Sequence, residues 1–515
     1  NVTGVQTCAL PIYGTRNAAR RSDKTGGDYS GGGGAVPWPT QGKHAAEVEF
    51  ANASGLRLGV EASHSPVTGG AMSTQRQDDS ADRRDVGTRV GIWELAPGIE
   101  RANFYALLGT AFFSIGLLTL VGNLRPYLFN SMLDIPDDIQ GRVSASMDVV
   151  SEIPALLLSG LIGAASDRLG RRLIYGMGFA ILAIGYALFP FASFDWTLYA
   201  MIFITACGAS LIAAMLSAVI ADYPQETSRG KLVGICFFLN GLGVASLVGL
   251  ASQLPKIFLA EGMTPLEAGR AAYWSVAVLC LVPMVIVLRG LARRAPGQLE
   301  QREPLLATLR VGISAARDLR VRLAYASATV SRASLSIISA FFFLWMVQAG
   351  KDQGMSPAEA MQRSGGIFVV IQITATLWAV TVISFIDRLD RVLFMAIASA
   401  LACFGYVWFG LQDDPFQPAM YVAAVFLGVG EMSGILASQA LVGQVAPVRG
   451  RGAVIGVFTL CGSLGIFMAA IVGGTLFDVW RPSAPYILTG CLSGLLCLMA
   501  AYVWVKSQNR TKTKQ

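Results

Sequence analysis

The sequence predicts an all-α polytopic membrane protein: twelve transmembrane helices arranged as two six-helix, pseudo-symmetric halves. Three observations carry this. Apolar runs of about 20 residues recur twelve times, each long enough to cross a hydrocarbon core of roughly 30 Å. Only 14% of the 515 residues are charged, where a soluble domain carries about 25%, and the mean hydropathy is +0.53. Two short signatures in the first half return in the second at nearly the same offset. A β-barrel would alternate polar and apolar residues, and these runs do not.

The chain opens on "VTGVQTCALPI", residues 2–12. It is too short, too polar and too lacking in a basic start for a signal peptide. It resembles the translation of a sequencing adapter, and the first methionine is Met72. Residues 1–71 are therefore expected to be a non-native, disordered extension. Residues 72–102 read as a polar cytoplasmic tail followed by an interfacial lead-in, with Trp93 at headgroup depth.

The twelve runs fall near 104–124, 144–166, 173–193, 197–221, 231–253, 271–291, 323–347, 365–386, 392–411, 419–443, 453–476 and 484–505. With both termini cytoplasmic, the inner loops hold 17 Lys and Arg and the outer loops 7. That asymmetry sets the orientation, with the protein in an inner (plasma) membrane. The arginine-rich stretch 293–322 is a cytoplasmic loop dividing an N-terminal half, 103–292, from a C-terminal half, 323–506. Residues 507–515 form a basic cytoplasmic tail.

The repeats fix that division. "SRGKLVGICFFLNGLG" (228–243) returns as "GRGAVIGVFTLCGSLG" (450–465), placing Arg229-Gly230 on Arg451-Gly452 at an offset of 222. "GAASDRLGRR" (163–172) returns as "SFIDRLDR", placing Asp167-Arg168 on Asp387-Arg388 at an offset of 220. The net charge of +7 lies mostly at the ends of runs, where it reports topology rather than a nucleic-acid partner. Seven of the eight cysteines lie in or at the ends of apolar runs without metal-like spacing, so they read as packing thiols. Both histidines, His44 and His64, precede the first run. The spans contain no histidine, no HExxH and no GxSxG, so neither an enzyme nor a metal or cofactor site is expected.

The charged loop 163–172 is similar to the signature between helices 2 and 3 of the major facilitator superfamily of secondary transporters, G-x-L-a-D-r-x-G-r-k. Gly163, Asp167, Arg168, Gly170 and Arg171 match it, with Ala165 where the family has Leu. The resemblance spans about 103–506. In the second copy Asp390 stands where the second glycine would be and Ile386 where a small residue would be. The helix-4 arginine common in proton-coupled members and the helix-5 proline common in drug antiporters are both missing. The resemblance implies alternating access by a monomer in the bilayer, with a small-molecule solute and protons as partners. It also implies that Asp167 meets the start of helix 11 near Gly452 and Ala453, while Arg171 pairs with Asp222 or Glu226. Asp387 would meet the start of helix 5 near Lys231.

Charges inside spans cost about 2.5–3.5 kcal/mol each on the insertion scale and need a reason. Arg332 lies ~15 Å along the seventh span and Glu431 ~18 Å along the tenth. Helices 1, 4, 7 and 10 line the cavity in that family, so the pair could face one another, Arg332 anchoring an anion and Glu431 carrying a proton. Glu152, two residues before Pro154, is a second proton candidate. Asp148 reads as solvated at the outer mouth, Asn123 and Arg125 as an outer rim, and Phe341–Phe343 with Trp345 as an interface belt. The expected function is proton-coupled transport of a small organic solute, an anion on the strength of Arg332. Efflux of amphipathic compounds is the alternative, with a transport-inactive membrane sensor or an intramembrane enzyme ranked below it.

Overall fold

Each apolar run is a helix in the computed structural model, which describes residues 88–225, 227–292, 305–386, 389–447 and 451–512. In the first half these are α1 Arg101–Tyr127, α2 Gln140–Leu169, α3 Arg171–Leu188, α4 Trp196–Asp222, α5 Arg229–Ala251 and α6 Pro265–Gly290. In the second they are α7 Leu319–Asp352, α8 Pro357–Ile386, α9 Arg391–Gly410, α10 Pro418–Val445, α11 Arg451–Val479 and α12 Ala484–Lys512. Among the described residues eleven of the twelve meet the length and apolarity of a membrane-crossing helix. The twelfth, α2, is 30 residues long and carries five charged side chains along its length. The fold is the all-α polytopic bundle the composition requires. Residues 1–87, including the adapter-like stretch, and Glu226, Asp387 and Arg388 lie outside the described residues, as does the side chain of Asp167.

Helix starts follow local chemistry. Asp195, Asp318 and Asp390 each accept a backbone N–H of the first turn of α4, α7 and α9, at 2.7, 2.8 and 2.9 Å. Glu100 with Asn103, and Thr264 with Glu267, form capping boxes on α1 and α6. Gly170 turns the chain from α2 into α3 at φ 90°, a conformation that favours glycine. The second half departs from that pattern because Asp390 starts α9 differently, as a side-chain cap at φ −59°.

Packing repeats between halves. α1 lies on α5 as α7 lies on α11; α3 lies on α4 and α6 as α9 lies on α10 and α12. Across the halves α2 packs on α11 and α5 on α8, the exchange that a two-fold relation between repeats produces. Phe341, Phe342, Phe343 and Trp345 are at most 4% exposed. They make ring contacts with Phe368, Phe409, Phe477 and Tyr486. They are core, not an interface belt, because α7 is enclosed on all sides rather than facing lipid.

Two segments read as irregular are folded. Arg89–Val90 and Trp93–Glu94 form a two-stranded hairpin. Trp93 packs against Phe104 with ring centroids 5.3 Å apart, so it does not stand alone as a headgroup anchor. The hairpin is bonded to the α4–α5 turn: Ser228 Oγ accepts the Glu94 N–H at 2.8 Å and Glu94 O accepts the Gln225 N–H at 2.9 Å. In the central loop Leu305–Ala315 is a helix. Its Gly312 lies against the Ala453 carbonyl at the start of α11, and Tyr325 Oη donates to Gly312 O at 2.8 Å.

Candidate functional site

Between the halves lies a cavity of about 90 Å³, walled by α1, α5, α7, α8 and α10. α4, expected to line it, does not. The walls are mostly apolar, with Phe237, Ile338, Phe368 and Ile435 among them. Thr119, Asn240, Ser339, Gln372 and Glu431 supply polar groups. Asn240 is buried and its Oδ1 has no hydrogen-bond partner, leaving an acceptor for a bound molecule. Among the described residues lining the cavity, Glu431 is the one charged group.

Arg332 is not among them. It is 7% exposed and lines a separate space of about 10 Å³ with Ser331, Ser438 and Gln439. Leu335 and Ile435 border both spaces and stand between the two charges. The expected juxtaposition across one cavity is therefore not formed. Gly462 of α11 makes room for the arginine: a Cβ there would lie 2.7 Å from Arg332 Cγ. Glu152 is 3% exposed at the α2–α11 contact, where its Oε1 accepts Ser463 Oγ–H at 3.2 Å and its Oε2 has no partner.

At the face read from the sequence as cytoplasmic, Arg171 and Asp222 form an ion pair within the first half. Arg172 Nη1 lies 3.5 Å from Leu291 O. Arg168 is exposed and Gly163 half-buried. Arg229-Gly230 and Arg451-Gly452 open α5 and α11. Among the described residues, a Cβ on Gly452, Gly456 or Gly234 would meet nothing within 4 Å beyond its own helix turn, and the backbone contact at the start of α11 is that of Gly312 on the Ala453 carbonyl.

At the opposite face, read from the sequence as the outer one, the two halves are bonded to each other by residues that reading did not single out. Asp478, ending α11, accepts the backbone N–H groups of Gly141 and Arg142 at 2.7 and 2.9 Å and the Arg142 Nε–H at 3.0 Å. A carboxylate there faces the positive end of the α2 dipole. Lys351, ending α7, bonds both Asp137 oxygens at 2.7 and 2.8 Å and Asn130 Oδ1 at 2.9 Å. The signal for Asp478 was available. Because α2 and α11 run antiparallel, an acid ending α2 beside the start of α11 implies a reciprocal position at the end of α11 beside the start of α2.

Below this latch sits a group whose surroundings differ from those the sequence suggested. Arg125 is 3% exposed and its Nη2 donates to Asp148 Oδ1 at 2.7 Å. Its Nη1 donates to Ser144 Oγ at 2.6 Å, and Ser144 Oγ in turn donates to Ala340 O of α7 at 3.0 Å. Asp148 is thus an ion-paired interior residue rather than a solvated one, and Arg125 is no rim. Asn123 is buried too, donating to Ser252 Oγ at 2.9 Å. The outer rim failed because the π-helical turn Leu128–Met132 and the loop after it carry the chain beyond Arg125.

Twelve long helices in two related halves, enclosing a cavity with a membrane-depth carboxylate, define the class of multi-pass membrane transporters. The sequence matches the profile of the Major Facilitator Superfamily over residues 102–417 and 379–515. The chain belongs to that superfamily. It is 28% identical over 406 residues to the magnetosome protein MamZ of Paramagnetospirillum magneticum, covering 76% of this chain and 61% of that protein. The chain thus spans less than two thirds of the length of that relative. It is 26% identical over 394 residues to the magnetosome protein MamH of the same bacterium, covering 72% of this chain and 86% of that protein. Its fold is similar to the crystal structure of a mutant of the nucleoside transporter NupG, at TM-score 0.63 and 16% identity over 78% of this chain and 99% of that one. It is also similar to the inward-open xylose transporter XylE from E. coli, at TM-score 0.56 and 17% identity over 78% and 96%.

Proposed function

We propose that this chain is a proton-coupled secondary transporter that moves a small organic solute by alternating access, as a monomer in a bacterial inner membrane with both termini cytoplasmic. The observation that carries the reading is Glu431, a carboxylate on the wall of a cavity between two halves that are latched on the outer side. A lone acid at that depth needs a functional reason. Asn240, Gln372, Thr119 and Ser339 offer donors and acceptors around it, which suits a neutral hydrogen-bonding solute. An anion in this cavity would meet no cation on its described wall, because Arg332 lines a separate space, so we assign Arg332 a supporting role in the α7–α10–α11 contact. The apolar walls also suit amphipathic compounds, so the direction of flux has to be measured rather than assumed. The similarity to bacterial magnetosome proteins supports a bacterial membrane.

Proteoliposome flux of a solute panel, with and without an imposed pH gradient, tests this. Wild-type protein should accumulate at least one neutral solute against its gradient when protons are supplied. Glu431→Gln should retain insertion and equilibrative exchange but lose pH-driven accumulation. Accumulation by that variant equal to wild type would remove Glu431 from the coupling.

A further inference from the structure

We propose that Tyr406 and Tyr486 are positioning residues for Glu431, their hydroxyls forming a second seat for the ionised carboxylate inside the C-terminal half. The proposal rests on the proton-coupling reading of Glu431 and adds the groups that decide when that acid faces the cavity. Both tyrosines are fully buried, and neither hydroxyl has a hydrogen-bond partner. A buried donor left unmade is costly, and most such groups in folded proteins are satisfied. The two rings lie 6.3 Å apart, inclined by 24°. Around Tyr486 stand Trp345 and Phe409, rings that offer no acceptor. Close packing of α9 on its neighbours brings Glu431 to this pair. A Cβ on Gly430 would lie 2.7 Å from the Ala402 Cα, and one on Gly410 would lie 3.0 Å from the Tyr486 Cβ. Tyr406 stands midway between Ala402 and Gly410, one turn from each, and so between Glu431 of α10 and Tyr486 of α12. The charge of Glu431 acts on both tyrosines. In the present arrangement Glu431 is half-buried and lines the central cavity.

The chemistry follows from the donor set. A phenol O–H bonds a carboxylate more strongly than a neutral carboxyl group. The ionised acid therefore gains by turning from the cavity toward the two hydroxyls, while the protonated acid gains little and stays with the solute. Protonation presents Glu431 to the cavity and loss of the proton withdraws it, so the proton loads before the solute. The other groups around Glu431 leave this sign unchanged. From α7, Ser334 lies beside Tyr406 and gives its own proton to Ser331 O at 2.9 Å. Arg332 of the same helix lies beyond Leu335 and Ile435 and keeps its charge throughout. α8 presents Gln372, and Trp378, whose Nε1–H is donated to Ser433 Oγ at 2.8 Å. On α9 the thiol of Cys403 lies against Gly494 of α12. α1 and α5 present Thr119 and Asn240 across the cavity. Among these described neighbours there is no second acid.

The test needs no solute. Infrared difference spectra of the full chain in nanodiscs, recorded across a pH series, read the C=O band of a protonated carboxyl. Loss of the band in Glu431→Gln assigns it. Tyr406→Phe and Tyr486→Phe should each move the midpoint of that band upward by about one pH unit, because each removes a bond to the charged form. The double variant should move it further than either. Tyr273→Phe, which removes a buried hydroxyl from the first half, should keep the wild-type midpoint. Wild-type protein labelled with ring-deuterated tyrosine supplies a second signature that needs no variant to fold: tyrosine ring modes should titrate together with the Glu431 band. A wild-type midpoint in both single variants, or tyrosine modes that do not move with the carboxyl, overturns the second seat while leaving Glu431 as the coupling acid. A carboxyl titration unchanged in Glu431→Gln removes that acid from proton exchange and overturns both.

Discussion

Gly122 lets the α1 backbone touch the Ser339 carbonyl of α7, and no larger residue fits there. That contact separates the central cavity from the outer polar cluster, so its size decides whether the outer side can close. Gly122→Leu should insert normally but hold the outer face open, lowering flux at least tenfold. Reactivity of a cysteine placed at Asp138 toward an impermeant reagent checks the state directly. Asp478→Asn should act in the same direction and more gently. It loses a charge aimed at a helix N-terminus and at Arg142, together about 1–2 kcal/mol, which is roughly a 5–30-fold shift toward open, read as a spin-label distance distribution. At this scale the sequence revealed which residues mattered better than what they touch. Glu431 and Arg332 stand out in any apolar run because charge there is expensive. Whether they meet depends on the rotation of α7 and α10 about their axes, which a depth count cannot supply. Arg125 and Asp148 were misread because their depth was judged from the ends of apolar runs, and α1 continues past its run.

The hairpin at Arg89–Glu94 shows what a small element can do. Glu94, Ser228, Gln225 and Tyr223 tie it to the inner ends of α4 and α5, with Tyr223 O accepting the Ala96 N–H at 2.8 Å. Helix Leu305–Ala315 holds the start of α11 in the second half, so the segment preceding each half secures that half's fifth helix. Replacing residues 88–95 by a Gly/Ser linker should raise amide exchange over 223–233 at least tenfold while leaving α1 protected, measured by hydrogen-exchange mass spectrometry. Two-residue strands have no period to read, and Trp93 alone in a polar stretch resembles a headgroup anchor; this is why the hairpin was not legible. The caps were more legible in principle, since Asp195, Asp318 and Asp390 all precede apolar runs. Asp414, in the α9–α10 loop, is held below its ordinary value of 3.8 first by the Phe416 backbone N–H and then by side-chain bonds from Gln353 and Gln417. Its contribution is full above pH 3.8 and is lost as pH falls through the lower folded value. Asp414→Asn should therefore flatten the acid limb of the unfolding curve below pH 3.8 and leave stability less pH-dependent there.

Over the whole molecule, the family resemblance implied that α2 meets α11, and two motifs repeated at offsets of 222 and 220 carried that relation to α5 and α8. Repeats are legible because duplication preserves spacing. The conformational state was not, because the alternating access proposed above would require the same sequence to accommodate both an outer-closed and an outer-open arrangement. The outer latch mixes exposed and interior charge: Arg142 is 57% and Asp137 51% exposed, whereas Asp478 is 1%. Raising salt from 0.15 to 1 M shortens the screening length from about 8 to about 3 Å. It should therefore weaken the Lys351–Asp137 bond, worth about 0–1 kcal/mol, and raise the open fraction two- to fivefold. Lys351→Ala should remove most of that salt response, with outer-loop label distances as the measure. The hairpin has one further consequence, for biogenesis. Its bond from Glu94 to Ser228 closes a loop of 134 residues, so it cannot form until α4 and the following turn have left the ribosome. At about 5–20 residues per second that is a wait of roughly 7–27 s, during which α1 to α4 must insert without it. Docking of the hairpin thus marks the moment the first half has threaded its fourth helix correctly, well before any of the second half has been translated.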